Sequence, residues 1–147
     1  MANTLTVKTD FVEGISVGCD GFSPVVRKRF DTSVLGMAAN AQIVAFKVPE
    51  GCIIRHVIVD VKTAGTATIY VGSHIGALTA GDTDPEDYTS GDVINLATPG
   101  KHIVESPAVA IIAANHYVVV NPQAAESAAV FDVLAVVEVF DVDAYTN

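Results

Sequence analysis

The 147-residue chain has no tryptophan, two cysteines, and eight lysines and arginines set against seventeen aspartates and glutamates. Cys19 and Cys52 make no disulfide framework for a chain of this size and neither belongs to a CxxC pair, so synthesis in a reducing compartment is expected. The formal net charge of −9 argues against a DNA or RNA partner, because nucleic-acid binders need cations to displace phosphate counterions. A membrane span is not expected either. The most apolar stretch, Ala128 to Val142, is interrupted by Asp132, Glu138 and Asp141, whereas a membrane helix needs ~20 mostly uncharged residues. The opening MANTLTVKTD has no basic start followed by an apolar run, so no secretory signal is expected. Nor does a 3.6-residue apolar period persist over the length of a helix.

Half of the residues are apolar and 17% are charged, which predicts a packed core within one domain. Ile43 to Gly72, IVAFKVPEGCIIRHVIVDVKTAGTATIYVG, reads as three consecutive strands. Pro49-Glu50-Gly51 supplies a turn, since proline removes a ladder donor and glycine admits positive φ. Cys52 to Val61 is dense in β-branched residues and fits a central strand. In Thr66 to Val71, Ala67, Ile69 and Val71 alternate with Thr66, Thr68 and Tyr70, the pattern of a half-buried strand. Thr4 to Lys8, Asp92 to Leu96, Val109 to Ala113, His116 to Val120 and Val130 to Val142 complete the strand set, with Ser73 to Gly91 read as a loop. About eight short strands separated by glycine and proline predict an all-β antiparallel sandwich or barrel.

Charge is unevenly placed along the chain. Residues 1–79 hold seven Lys/Arg and six acids, whereas residues 80–147 hold Lys101 and eleven acids. Arg27-Lys28-Arg29 lies between Val25-Val26 and Phe30. It reads either as a solvated strand end or as an anchor for an acidic partner surface, with Phe22, Val25, Val26 and Phe30 adding apolar burial. In Val130 to Val142, one side carries Phe131, Val133, Ala135, Val137 and Val139. The other mixes Leu134, Val136 and Phe140 with Asp132 and Glu138, an apolar content that calls for a cover and predicts self-association there.

Motifs for catalysis are sparse. His56, His74, His102 and His116 show no paired ligand spacing, and His56 is expected to be a hydrogen-bonded core or interface residue. Asp82, Asp84, Glu86 and Asp87 could supply oxygen ligands to calcium. The run lacks the glycine and late glutamate of an EF-hand, however, and reads as a solvated acidic loop. GxSxG, GxGxxG and GxxxxGK[ST] are absent. Tyr70, Tyr88, Tyr117 and Tyr145 could stack on sugars, but that is an ordinary tyrosine count. No enzymatic activity, metal or cofactor is expected.

The run VAFKVPEGCIIRHVIVDVKTAGTATIYVG, the acidic DTDPEDY segment and the late YVVVNPQAAESAAVFDVLAVVEVF together resemble small virion structural proteins of tailed bacteriophages. The resemblance covers residues 43–140. It implies a jelly-roll-like sandwich, taken over residues 43–147, while the change in composition sets off residues 1–42 as an extended N-terminal arm and first strands. The resemblance also implies a protein that decorates or cements a capsid surface against the major capsid protein, commonly as a trimer; charge and the interrupted apolar stretch already point to no nucleic acid or membrane partner. A tail or baseplate module binding host carbohydrate is the competing reading, and a small cupin-like metalloenzyme the third.

Overall fold

A computed structural model of the chain describes residues 5–6, 25–48, 50–89, 93–104 and 115–139. Its strands are β1 (Leu5–Thr6), β2 (Val25–Asp31), β3 (Gln42–Val48), β4 (Cys52–Thr63), β5 (Thr68–Ile75), β6 (Asp82–Asp84), β7 (Ile94–Asn95), β8 (Gly100–Val104), β9 (His116–Pro122) and β10 (Val130–Val139). They form two sheets. One runs β1-β3-β9-β5-β6, with β7 also on β5; the other runs β2-β10-β4-β8. All pairs are antiparallel except β1 with β3. Successive strands cross between the sheets, so β3, β4 and β5 are not a meander: β4 pairs with β10 and β8, and β3 and β5 flank β9. This is the expected all-β, jelly-roll-like sandwich, eight strands in two four-stranded orders with β1 and β7 as short additions.

Period-two alternation decides which side chains enter the core. Val57, Val59 and Val61 of β4 point inward beside Ala135, Val133 and Phe131 of β10, their direct partners. From the opposite sheet Ile43, Phe46, Val48, Ile69, Val71, Val118 and Val120 meet them. A β-bulge breaks the alternation of β4. Val136 pairs with His56 and Val137 with Ile54, which leaves Arg55 unmatched. Arg55 and His56 therefore both face solvent, and Ile54 and Cys52 return to the core. The turn before β4 uses Gly51 at φ 81°, as the sequence predicts.

Within residues 1–42, expected to hold an arm and first strands, β2 belongs to the sandwich. Val25–Asp31 is a full edge strand on β10, and its exposure alternates residue by residue. Val26 and Phe30 enter the core, with the Phe30 ring stacked on Phe131 at 5.3 Å. A stretch read as part of an arm is thus core, because pairing with β10 gives its apolar residues an intramolecular partner. Two further elements differ from expectation. Ser73 to Ile75 and Asp82 to Asp84 pair as the β5-β6 hairpin inside the segment read as a loop, and Gly100–Val104 forms β8 in a stretch not read as a strand. The strand expected at 109–113 lies outside the described residues.

One end of the sandwich is tied by a buried carboxylate. Glu126, 3% exposed, accepts backbone N–H bonds from Thr66 (2.6 Å) and Ala67 (2.7 Å) on Oε2. Its Oε1 accepts from Ser127 (2.9 Å), Ala128 (2.8 Å) and Ala129 (3.2 Å). Its own backbone exchanges two 2.9 Å hydrogen bonds with Met37. The carboxylate therefore joins the β4-β5 and β9-β10 connections, and the Glu126 backbone adds the β2-β3 connection. Gly65 permits the approach, since a Cβ there would collide with the Glu126 carboxylate and with Ala129. Burial alone would raise the Glu126 pKa, but the N–H bonds outweigh it and hold the group down to about 2.

Candidate interaction surface

The outward face of the β2-β10-β4-β8 sheet gathers most of the residues singled out in the sequence. Cross-strand register lays them in rows. Arg29, Asp132, Asp60 and Lys101 form one row; Arg27, Leu134, Ile58 and Ile103 form the next; Val25, Val136 and His56 form a third. The second and third rows make an apolar stripe. Leu134, Val136 and Ile58 are half-buried, Val25 is 48% exposed, and Ile103, on the edge strand, is 58% exposed.

The charged row is built around a carboxylate that is almost out of water. Asp132 is 2% exposed and sits directly across from Asp60, a like-charge pairing that needs compensation. Arg29 supplies it with a two-point contact, Nε to Oδ1 at 2.7 Å and Nη2 to Oδ2 at 3.0 Å. Arg27 adds a looser contact at 3.9 Å, and Lys62 binds Asp60. The Arg29 hydrogen bond, opposed by burial and helped by the Arg29, Arg27 and Lys62 charges, keeps the Asp132 pKa below the usual carboxylate range. Arg55 and Glu138 pair at the far end of the same face.

The expected partner-binding set is therefore divided by the sheet. Val25, Arg27 and Arg29 face outward, whereas Val26, Lys28 and Phe30 share the inward register, Lys28 at 9% exposure. Val26 and Phe30 are not available to a partner. Nor is the basic triplet a detachable surface run, since Arg29 supplies the counter-charge of the buried Asp132. Leu134 and Val136 lie on the outward face as expected, and His56 is exposed beside Val136 and is not a core residue. Phe22 and Phe140 lie outside the described residues. Ile58, Ile103, Asp60 and Asp132 complete the surface without having been singled out as partner-binding. The sole cue was the alternation within β4 and β10, since Arg29 and Asp132 are 103 residues apart.

The remaining polar chemistry is internal. Tyr88 hydrogen-bonds His116 Nε2 in the core, and burial lowers the His116 pKa, opposed by the charge of Asp87. His74 is enclosed in the β5-β6 hairpin between Thr83 Oγ1 (2.6 Å) and the Ala77 carbonyl (2.9 Å). Asp87 accepts from the Ser73 hydroxyl at 2.7 Å, while Asp82, Asp84 and Glu86 are exposed. Among the described residues no group of three or more His, Cys, Asp or Glu side chains is placed to hold a metal ion. Tyr88 and Tyr117 are buried, Tyr70 is half-buried and Tyr145 lies outside the described residues, so the tyrosines considered for sugar stacking do not form one platform.

With that geometry in place, the solved structures supply a likeness. A chain in the capsid of Ralstonia phage GP4 superposes with a TM-score of 0.62 at 19% identity, covering 92% of this chain and 98% of that one. The two share a fold. No protein-family model matches the chain, and no curated protein matches it in sequence.

Proposed function

We propose that this protein is a bacteriophage virion component that decorates or cements the capsid surface through protein-protein contacts. In this reading it is made in the host cytoplasm, acts as a homo-oligomer, most simply a trimer, on the major capsid protein, and has no catalytic role. The observation that carries it is the end-to-end correspondence with a chain of a phage capsid, which leaves little of either chain unmatched. The outward face of the β2-β10-β4-β8 sheet supports it, because an apolar stripe edged by ion pairs suits a protein-protein contact.

The test is quantitative mass spectrometry of purified particles, with heads and tails separated. A fixed high copy number on heads is expected. Recovery with tails alone would favour the carbohydrate-binding tail module, and absence from particles would remove the virion reading.

A further inference from the structure

Residues that the sequence assigns to two different surfaces, a basic anchor and an apolar oligomer contact, prove to be cross-strand neighbours. Arg27 pairs with Leu134, Leu134 with Ile58, and Ile58 with Ile103. They form one surface. Its charge sets it apart from the rest of the chain. Arg27, Arg29, Arg55, Lys62 and Lys101 lie on this face with Asp31, Asp60, Asp132 and Glu138, whereas the remainder of the sequence holds three Lys/Arg and thirteen acids. The face is close to neutral with a cationic excess, on a chain of net charge −9.

We propose that this face binds a second copy of the chain head to tail, seating its apolar stripe and cations on an acidic surface of the next copy. Apolar area exposed across four strands is the part of the sheet that gains from being covered. Bringing two such near-neutral faces together would cover the stripe but leave the acids of the rest of the chain uncompensated. A contact through the exposed Asp82, Asp84 and Glu86 of the β5-β6 hairpin on both copies would press like charges together, at a cost that rises as they approach. Contact between this face and acidic surface removes both conflicts. It is heterologous, so it closes into a ring if the rotation permits, a trimer being a small instance. The assignment deepens the oligomer part of the function proposed above and is tested in solution without capsids, so that its failure leaves the virion role standing.

The test is sedimentation velocity of the full chain from ~1 to ~100 µM, a span that detects micromolar association. It is run at about 50 mM and about 500 mM salt, where screening lengths differ several-fold. Wild type is expected to form oligomers whose dissociation constant rises about tenfold or more with salt, as charge complementarity requires. Ile103→Lys, at an exposed edge position that tolerates lysine, is expected to abolish association while keeping the far-ultraviolet circular dichroism of the wild type. Arg27→Gln is expected to weaken association and flatten its salt dependence. A check without variants is hydrogen exchange, in which residues 100–104 gain protection between dilute and concentrated wild type.

A wild type that stays monomeric throughout would overturn the assignment, as would association unchanged in Ile103→Lys and Arg27→Gln. Association that tightens with salt would replace head-to-tail docking by apolar face-to-face pairing. Monomeric wild type combined with loss of capsid binding in Ile103→Lys would give the face to another virion protein. If Ile103→Lys fails to fold, unchanged exchange at residues 100–104 in the wild type is the refuting result.

Discussion

Replacing Glu126 by glutamine keeps the size of the side chain and removes its charge. One carboxylate oxygen becomes an NH2 group, so either the two N–H groups of Thr66 and Ala67 or the three of Ser127, Ala128 and Ala129 face a donor in place of an acceptor. Each buried N–H left without a partner costs ~1–3 kcal/mol. An independent figure comes from linkage. A pKa held at about 2 against an ordinary 4.5 corresponds to about 3 kcal/mol of stability at neutral pH. Because the folded pKa is depressed, that stability is full above about 4.5 and is lost as pH falls toward 2. The assay is urea unfolding followed by circular dichroism, for wild type and Glu126→Gln, at pH 7 and near the folded pKa. The variant is expected to be less stable by about 3 kcal/mol at pH 7, with most of that gap closed in acid. The other carboxylates titrate in both proteins, so the difference isolates Glu126. A gap below about 1 kcal/mol at pH 7, or one of equal size at both pH values, would refute the carboxylate's tie between the β4-β5 and β9-β10 connections.

Four further outcomes follow from the same packing. Phe30→Ala is expected to destabilise the fold by ~3–5 kcal/mol in urea unfolding, because it removes a buried ring stacked on Phe131; a neutral result would return β2 to an arm. Arg29→Ala is expected to lower the melting temperature by leaving Asp132 buried without its two-point partner, and adding Asp132→Asn should recover part of the loss; no recovery would mean that Arg29 acts through something else. His116 is expected to titrate in NMR below the free imidazole value, since burial lowers its pKa, so stability falls as pH drops below about 6.5, where the unfolded chain takes up a proton that the folded chain refuses. Tyr88→Phe should cost about 1–2 kcal/mol by removing the hydrogen-bond partner of His116 Nε2, and a His116 midpoint at or above 6.5 would count against the buried neutral pair.

Much of the sandwich is visible in the sequence because strand formation leaves a local record. The β-branched run of β4, the alternation of Ala67, Ile69 and Val71, the glycine turn at Gly51 and the late strand from Val130 all depend on residues within a few positions of one another. The outward placement of Leu134 and Val136 follows from the same alternation. Sheet membership is another matter, since period two says that a strand has two faces and not which strand lies beside it. Val25–Asp31 looks like a polar arm with a basic run until β10 is placed next to it. Only then do Val26 and Phe30 become core, and Arg29 the counter-charge of Asp132. Glu126 is one acid among eleven in its half of the chain, and its five N–H donors come from segments up to 60 residues away. The bulge at Arg55 turns two successive residues to the same side, which no alternation can anticipate. Short-range sterics thus set the strands. The charges and the shared outward surface had to wait for tertiary structure, because the groups that neutralise or extend them are distant in sequence and become neighbours once the two sheets close.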